Sequence, residues 1–266
     1  MPRAAVLGSP IAHSLSPVLH NAGYAALQLE DWDYTKFDVT DLPAFLETVG
    51  EEYLGFSVTM PLKFDALKCA DIVSERAELI GSANTLVRSA DGWRADNTDT
   101  EGVLGALAEL FGESEPTNAL LIGAGGTARP VLWGLAKRGV TDVTVLNRSD
   151  RLAELRPLAD ALGLTLRAVT FTEDLVGVAR SVDLIVSTVP SAALDSHLTQ
   201  LAKAPVFDVI YDPWPTPLTV YAAADGFATV GGHIMLAHQA FSQFEQFTGH
   251  TAPRTEMLAA LNAALA

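Results

Sequence analysis

The chain has 266 residues, 49% hydrophobic and 18% charged, with 20 Gly and 14 Pro, a composition that excludes a disordered, collagenous or disulfide-scaffold protein. Lys plus Arg number 17 against 32 Asp plus Glu, a formal charge of −15 that repels nucleic acid and anionic lipid and leaves a small molecule as the expected partner. The one cysteine, Cys69, cannot form an internal disulfide, and no Cys/His cluster has metal-ligand spacing, so a cytoplasmic protein with no metal is expected. The opening MPRAAVLG has no signal-peptide core, and the uncharged stretch Ala4–Leu29 is broken by Ser9, Pro10, His13, Ser14, Ser16, Pro17, His20 and Asn21, so no membrane span is expected.

In chain order, strands are expected at Ala4–Leu7, Tyr34–Phe37, Gly55–Val58, Thr85–Arg88 and Trp93–Ala95, separated by helices, which makes a smaller α/β domain. The polar loop after the first strand carries Ser14 and Ser16, whose hydroxyls can donate to a carboxylate without adding charge. Ser16 before Pro17 also reads as a helix N-cap with Pro at N1. The segment SVTMPLK, an apolar strand turning through Pro61 into a helix, puts Lys63 at a strand's C-terminal end, where α/β sites form. From Asn118 onward the runs ALLI (119–122), VTVL (143–146), DLIV (183–186) and VFDV (206–209) alternate with helical stretches, the pattern of a parallel sheet covered on both faces. The fold class is therefore α/β, in two domains, the second doubly wound. From about His233 the chain is one or two helices whose home domain the pattern leaves open.

Gly123, Ala124, Gly125, Gly126, Thr127 and Ala128 follow a strand directly and open a helix. Glycines there permit a tight turn and let a pyrophosphate approach backbone N–H groups at a positive helix end, so the segment reads as a dinucleotide-binding turn to which Arg129 could add a cation. Pro130 fits only if it falls in the first turn of that helix. The end of the second strand chooses between cofactors, since an acid there binds the ribose hydroxyl of NAD and a cation accepts the 2′-phosphate of NADP. Here it reads Asn147, Arg148, Ser149, Asp150, Arg151, with no acid first, so NADP is expected.

Eight segments then acquire a common meaning: SPIAHSLSP (9–17), SVTMPLK (57–63), GSANTL (81–86), DNTD (96–99), GAGGTAR (123–129), NRS (147–149), DVIYDPWPTPL (208–218) and GHIMLAHQA (232–240). In this order the chain resembles shikimate dehydrogenases over nearly its whole length. The resemblance implies a substrate domain of residues 1–101 completed by 237–266, a Rossmann-like NADP domain of 102–236, and a site in the cleft between them. It implies reversible NADP(H)-dependent interconversion of 3-dehydroshikimate and shikimate on the route to chorismate. It assigns Lys63 and Asp99 as the catalytic pair, and Ser14, Ser16, Thr59, Asn84, Tyr211 and Gln239 to the substrate. It assigns Gly123, Ala124, Gly125, Gly126, Thr127, Arg129, Asn147, Arg148, Ser149, Arg151, Thr188, Val209, Gly232 and Met235 to the cofactor. A monomer or homodimer is expected.

The chain departs from the family pattern at several places. Ser57 stands where the family often has Asn, Val186–Val189 replaces N-A-T-S, Arg151 comes four rather than five positions after Asn147, and His233 and Ile234 occupy a Gly-x-Gly-Met segment. Two alternatives carry weight beside the main reading: an NAD-preferring quinate/shikimate dehydrogenase, and a non-catalytic NADP-sensing regulator on the same fold. Retention of Lys63 and Asp99 argues against the second. Asp99 on its own could also be a cap of the helix running toward Leu110.

Overall fold

In the computed structural model, which describes residues 1–266, two six-stranded sheets organise two units of the chain, Met1–Asp99 with Leu236–Ala266 and Thr100–Met235. The first unit runs β1 (Arg3–Gly8), α1 (Ser16–Ala26), β2 (Asp33–Asp38), α2 (Leu42–Thr48), β3 (Tyr53–Val58), α3 (Lys63–Cys69), β4 (Ile72–Val73), α4 (Glu75–Ile80), β5 (Thr85–Ser89) and β6 (Gly92–Asp96). Its strand order is β2-β1-β3-β5-β6-β4.

Strand direction decides where the loops of this unit meet. β1 is parallel to β2 and β3, whereas β5 is antiparallel to both β3 and β6. Two reversals return β6 to the direction of β3. The C-terminal ends of β1, β3 and β6 and the N-terminal end of β5 therefore lie along one edge, and the segments carrying Ser14, Ser16, Thr59, Lys63, Asn84 and Asp99 all issue from it. Both sheet faces are covered, as the pleat requires. Ala4 and Val6 of β1 face a core with Leu19, Tyr24, Tyr34, Phe244, Met257 and Leu261, while Ala5 and Leu7 face Leu42, Phe56, Leu62, Leu86 and Trp93.

The second unit continues with α5 (Asp99–Phe111), β7 (Asn118–Ile122), α6 (Ala128–Lys137), β8 (Asp142–Leu146), α7 (Leu152–Leu162), β9 (Thr165–Val169), α8 (Leu175–Arg180) and β10 (Leu184–Ser187). A 3-10 turn (Ser191–Leu194), α9 (Leu198–Leu201), β11 (Val206–Asp208), α10 (Pro217–Ala224) and β12 (Thr229–Gly231) complete it. The sheet is parallel throughout, in the order β12-β11-β10-β7-β8-β9. The direction of winding reverses at β7, so the turn after Ile122 sits at a topological switch point, where α/β sheets bind ligands.

α11 (Gly232–Thr248) begins in the second unit and ends in the first, followed by α12 (Arg254–Leu265). Met257 and Leu261 of α12 are completely buried, and Leu19, Tyr24 and Phe244 belong to the same core. No helix is long and apolar enough to cross a membrane.

Three strands escape the sequence pattern: β4, β9 and β12. β4 and β12 have two and three residues, too few to show a period. β9 is an edge strand with exposed Thr165 and Arg167, so it lacks the continuous apolar run of its buried neighbours. Pro130 is the third residue of α6, inside the first turn, where its missing N–H leaves no helical bond unmade. Ser16 corrects an expectation. Leu15 holds the N-cap position and no side chain caps the helix, so Ser16 is the first helical residue with Pro17 behind it.

Candidate functional site

In the first unit the edge segments bring four of the expected side chains into one hydrogen-bonded cluster. Lys63 opens α3 after the turn closed by Leu62 N–H on the Thr59 carbonyl, and its own carbonyl accepts from Ala83 N–H. Its Nζ donates to Asp99 Oδ2 at 2.5 Å, with side-chain exposures of 20% for the lysine and 9% for the aspartate. Asp99 Oδ1 accepts from Asn84 Nδ2 at 2.9 Å, and the same amide nitrogen donates to Gln239 Oε1 at 3.0 Å. The partly exposed Lys63 nitrogen thus sits on a carboxylate that two buried amides continue, all hydrogen-bonding groups able to recognise hydroxyls.

The backbone that carries this cluster is itself pinned. Gly81, at φ +76°, ends α4 in the left-handed conformation and turns the chain toward Asn84. Asp96, three residues before Asp99, accepts from Arg76 Nε at 2.6 Å, Arg76 Nη2 at 2.5 Å and Ser74 Oγ at 2.6 Å. Burial pushes its carboxyl up, but the Arg76 and Ser74 bonds, the Arg76 charge and the Asn97 N–H outweigh that and bring it down to about 2.

Ser14 and Ser16 stand together in the loop after β1, where Ser14 Oγ accepts from Ser16 N–H at a long 3.4 Å. Ser16 is buried. Thr59 lies against the end of β1: its methyl group and the Met60 carbonyl leave no room for a Cβ on Gly8. Tyr211 belongs to the second unit, and burial raises its phenol, helped by the charge of Asp212.

In the second unit the glycine turn has the expected conformation. Gly123 adopts φ +100°, and a Cβ there would strike Thr188 Oγ1 and Val189. Thr188 in turn bonds the Ile122 carbonyl through both its N–H and its hydroxyl, at 2.9 Å each. Gly125 and Gly126 are exposed, and a Cβ on either would meet nothing within 4 Å. That open space above backbone N–H groups, at the start of α6, fits a pyrophosphate. Thr127 occupies the N-cap position without a side-chain cap bond, Ala124 is buried behind the turn, and Arg129 Nη2 reaches the Glu154 carbonyl at 3.0 Å.

After β8, Asn147 Nδ2 donates to the Ser149 carbonyl, Asp150 accepts from Leu152 N–H, and Arg148 is exposed. Arg151, also expected to face the cofactor, is engaged bidentately by Glu154. Val209 follows β11, and its carbonyl lies where Gly232 would carry a Cβ. Met235 packs likewise on Gly102. The His233 ring lies 5.0 Å from that of Trp214, tilted by 53°, and burial lowers its imidazole.

The sequence reading passed over Gln243 and Tyr34. Gln243 lies four residues after Gln239 on α11, hence on the same helix face, which was the available signal. It accepts from Ser57 Oγ, which accepts from Tyr34 Oη. Ser57, noted as a departure from the family pattern, is thus occupied by two partners inside the unit. No group of three or more His, Cys, Asp or Glu side chains is arranged to hold a metal.

A parallel sheet wound in this order with an open glycine turn at its reversal point, in one chain with a lysine–aspartate pair among buried amides, defines the class: an α/β dehydrogenase of the dinucleotide-binding kind. Family models agree and narrow it. Residues 6–86 match the shikimate dehydrogenase substrate binding domain, 106–204 match shikimate / quinate 5-dehydrogenase, and 232–261 match the shikimate 5'-dehydrogenase C-terminal domain. The chain is 38% identical over 264 residues to the shikimate dehydrogenase (NADP(+)) of Methanocella arvoryzae, covering 93% of each protein. The crystal structure of Mycobacterium tuberculosis shikimate dehydrogenase aligns with a TM-score of 0.93 at 47% identity, covering 99% of this chain and 100% of that one. Shikimate 5-dehydrogenase from Thermus thermophilus, solved in complex with NADP(H) and shikimate, aligns at 0.84 and 33% identity with both chains fully covered. The chain belongs to the shikimate dehydrogenase family.

Proposed function

We infer that the chain catalyses the reversible NADP(H)-dependent interconversion of 3-dehydroshikimate and shikimate. The observation that carries this reading is the Lys63–Asp99 pair, joined at 2.5 Å and continued through Asn84 to Gln239. We assign substrate binding to residues 1–101 with 237–266, and NADP binding to 102–236. When bound there, NADP(H) would supply the hydride acceptor or donor for the substrate's C3 carbon.

The chain's own residues do the rest. Lys63 Nζ, acting as the neutral amine, takes the C3 hydroxyl proton as the alcohol is oxidised, and as the ammonium returns it on reduction, the acid–base work such an exchange needs. Asp99 holds that nitrogen in place through Oδ2. Asn84, Gln239 and Thr59 bind the ring hydroxyls with Tyr211, and the hydroxyls of Ser14 and Ser16 hold the carboxylate by charge-assisted hydrogen bonds without placing a second cation in the site. The backbone of Gly123–Thr127 holds the pyrophosphate, with Arg129, and Arg148 meets the 2′-phosphate beside Asn147, Ser149 and Arg151. Thr188, Val209, Gly232 and Met235 support the nicotinamide side. Arg151 serves only by releasing Glu154, an exchange between exposed partners.

We further propose that the enzyme works in the cytoplasm as a monomer or homodimer, a state that sedimentation at micromolar concentration reads directly. The decisive assay follows nicotinamide absorbance with NADP or NAD against shikimate or quinate. NADP with shikimate is expected to give the highest kcat/KM. A higher value for NAD with quinate would transfer the assignment to that reaction, and no turnover in any of the four mixtures would leave a non-catalytic NADP sensor.

A further inference from the structure

Behind the side chains assigned to substrate lies a second, fully buried layer of polar groups that the reaction itself does not use. Gln243 has no exposed surface. Its Nε2 donates to the Asn84 carbonyl at 3.1 Å and to Thr85 Oγ1 at 3.0 Å. Its Oε1 accepts from Ser57 Oγ at 2.6 Å, which accepts from Tyr34 Oη at 2.6 Å. Both halves of the amide are committed.

The polarity of this layer follows from two backbone groups. A carbonyl only accepts, so the Asn84 carbonyl requires the nitrogen end of Gln243 and leaves the oxygen end for Ser57. An N–H only donates, so Thr98 N–H, at 2.7 Å, requires the oxygen end of Asn84. Thr85 receives Gln243 Nε2 on its oxygen and spends its proton on Asn84 Oδ1 at 2.8 Å. Asn84 therefore presents Nδ2 to Asp99 Oδ1 and to Gln239 Oε1. With Oε1 directed at Asn84 Nδ2, Gln239 has both protons of its Nε2 left to offer.

We propose that Gln243 is a positioning residue: by donating to the Asn84 carbonyl and to Thr85 Oγ1 it fixes the Asn84 amide, which aligns Asp99 for Lys63 and turns the donor end of Gln239 toward a hydroxyl-bearing substrate. This rests on the assignment of Lys63, Asn84, Asp99 and Gln239 made above. Gln243 touches none of the reacting atoms. Its effect passes through Thr85 and Asn84, and a misplacement of even about 1 Å at a reacting group costs on the order of 10²-fold in rate.

A double-mutant cycle tests it, with kcat and KM for shikimate and NADP measured on the full chain and folding followed by thermal melting. Gln243→Met keeps the length and loses both donors, so kcat/KM is expected to fall about tenfold or more. In an Asn84→Ala background the same change is expected to cost less than about twofold, because the group it positions is gone. Equal loss in both backgrounds would overturn the proposal, as would wild-type kcat/KM in Gln243→Met. Wild-type kcat/KM in Asn84→Ala alone would overturn the site assignment along with it, which separates the two failures. Thr85→Val and Thr85→Ser repeat the measurement without altering α11: Val matches the shape without the hydroxyl and is expected to lose activity about tenfold, and Ser to retain it. Equal activity in the two would overturn the proposal even if Gln243→Met did not fold.

Discussion

Asp99 has each carboxylate oxygen spoken for, Oδ2 by Lys63 and Oδ1 by Asn84. Removing either member of the proposed catalytic pair therefore leaves the other without its partner. Lys63→Ala and Asp99→Asn are each expected to lower kcat on the order of 10²-fold or more, since a positioned acid–base group contributes about 10²–10⁴. The double variant should be scarcely worse than the singles, because the two act as a unit. Near wild-type turnover in folded Lys63→Ala would remove the lysine from the mechanism. Ser16 offers a cleaner test than its sequence suggests. Because Leu15 rather than Ser16 occupies the cap position, Ser16→Ala loses no cap bond; it gives up the hydroxyl's contact with buried Tyr34, and its effect on the reaction should fall on KM for shikimate. A hydrogen bond to a charged acceptor is worth roughly 1.5–3 kcal/mol, about a 10- to 100-fold rise in KM. A lower melting temperature with unchanged KM would assign Ser16 to the helix start instead.

The β7–α6 element separates two roles that its glycines share in the sequence. Gly123 is held at φ +100° against Thr188 and Val189, so Gly123→Ala should cost roughly 1–3 kcal/mol of stability through strain and collision. Gly125 has open space around it, so Gly125→Ala should melt like the wild type while its methyl group obstructs the pyrophosphate and raises KM for NADP and NAD alike. Loss of stability in Gly125→Ala, with cofactor KM unaltered, would return that residue to turn formation. The β8–α7 turn carries the cofactor choice. Arg148 is exposed and Arg151 is engaged by Glu154, so Arg148 is the cation on which the proposed NADP preference is tested. Arg148→Ala should raise KM for NADP about tenfold, the lower end of a charge-assisted contact on an exposed group, and leave KM for NAD nearly unchanged. Equal rises for both cofactors would place Arg148 on the shared part of the nucleotide.

At the scale of the whole molecule, acid stability depends on a buried histidine. His20 stacks on Tyr34 at 4.1 Å and lies among Phe244, Phe247 and Tyr24. Burial lowers its imidazole to about 3; Gln243 faces it and would raise it, but neither ring nitrogen reaches a hydrogen-bond partner. The folded chain thus keeps His20 neutral where the unfolded chain, with an ordinary value near 6.5, binds a proton. Below pH 6.5 the unfolded state holds more protons, so stability falls as pH drops from 6.5 toward 3, by up to about 1.4 kcal/mol per pH unit for this one group. Burial lowers His233 and His238 as well, so they act with the same sign. Asp96 acts in a lower window, its contribution being lost from about 3.8 down to about 2. Urea unfolding at pH 7, 6, 5 and 4 should show the slope, and His20→Phe, which keeps the aromatic stack, should flatten it. An unchanged slope in His20→Phe would exclude His20 as its source.

Features set by neighbours in the chain were legible from the sequence alone: the buried strands of the second unit, the glycine turn between β7 and α6, Pro130 inside the first turn of α6, and Asn147 rather than an acid at the first position after β8. Each depends on φ/ψ freedom, periodicity or residue type within a few positions, which composition along the chain records directly. Ser16 shows the limit of that reach, since Ser before Pro reads as a cap while the backbone at Leu15 turns one residue earlier. The edge strand β9 shows another, because its alternation resembles a polar loop until β8 pairs with it. Tertiary structure gave the physical reason for the rest. The pattern leaves the last two helices without a home, and the shared burial of Met257 and Leu261 with Leu19, Tyr24 and Phe244 assigns α12 to the first unit. Gln243 bonds the Asn84 carbonyl from 159 residues away, and the amide orientations of Asn84 and Gln239 follow from which backbone donors and acceptors surround them. A hydrogen bond has direction, and direction is fixed by groups that meet only when the chain has folded.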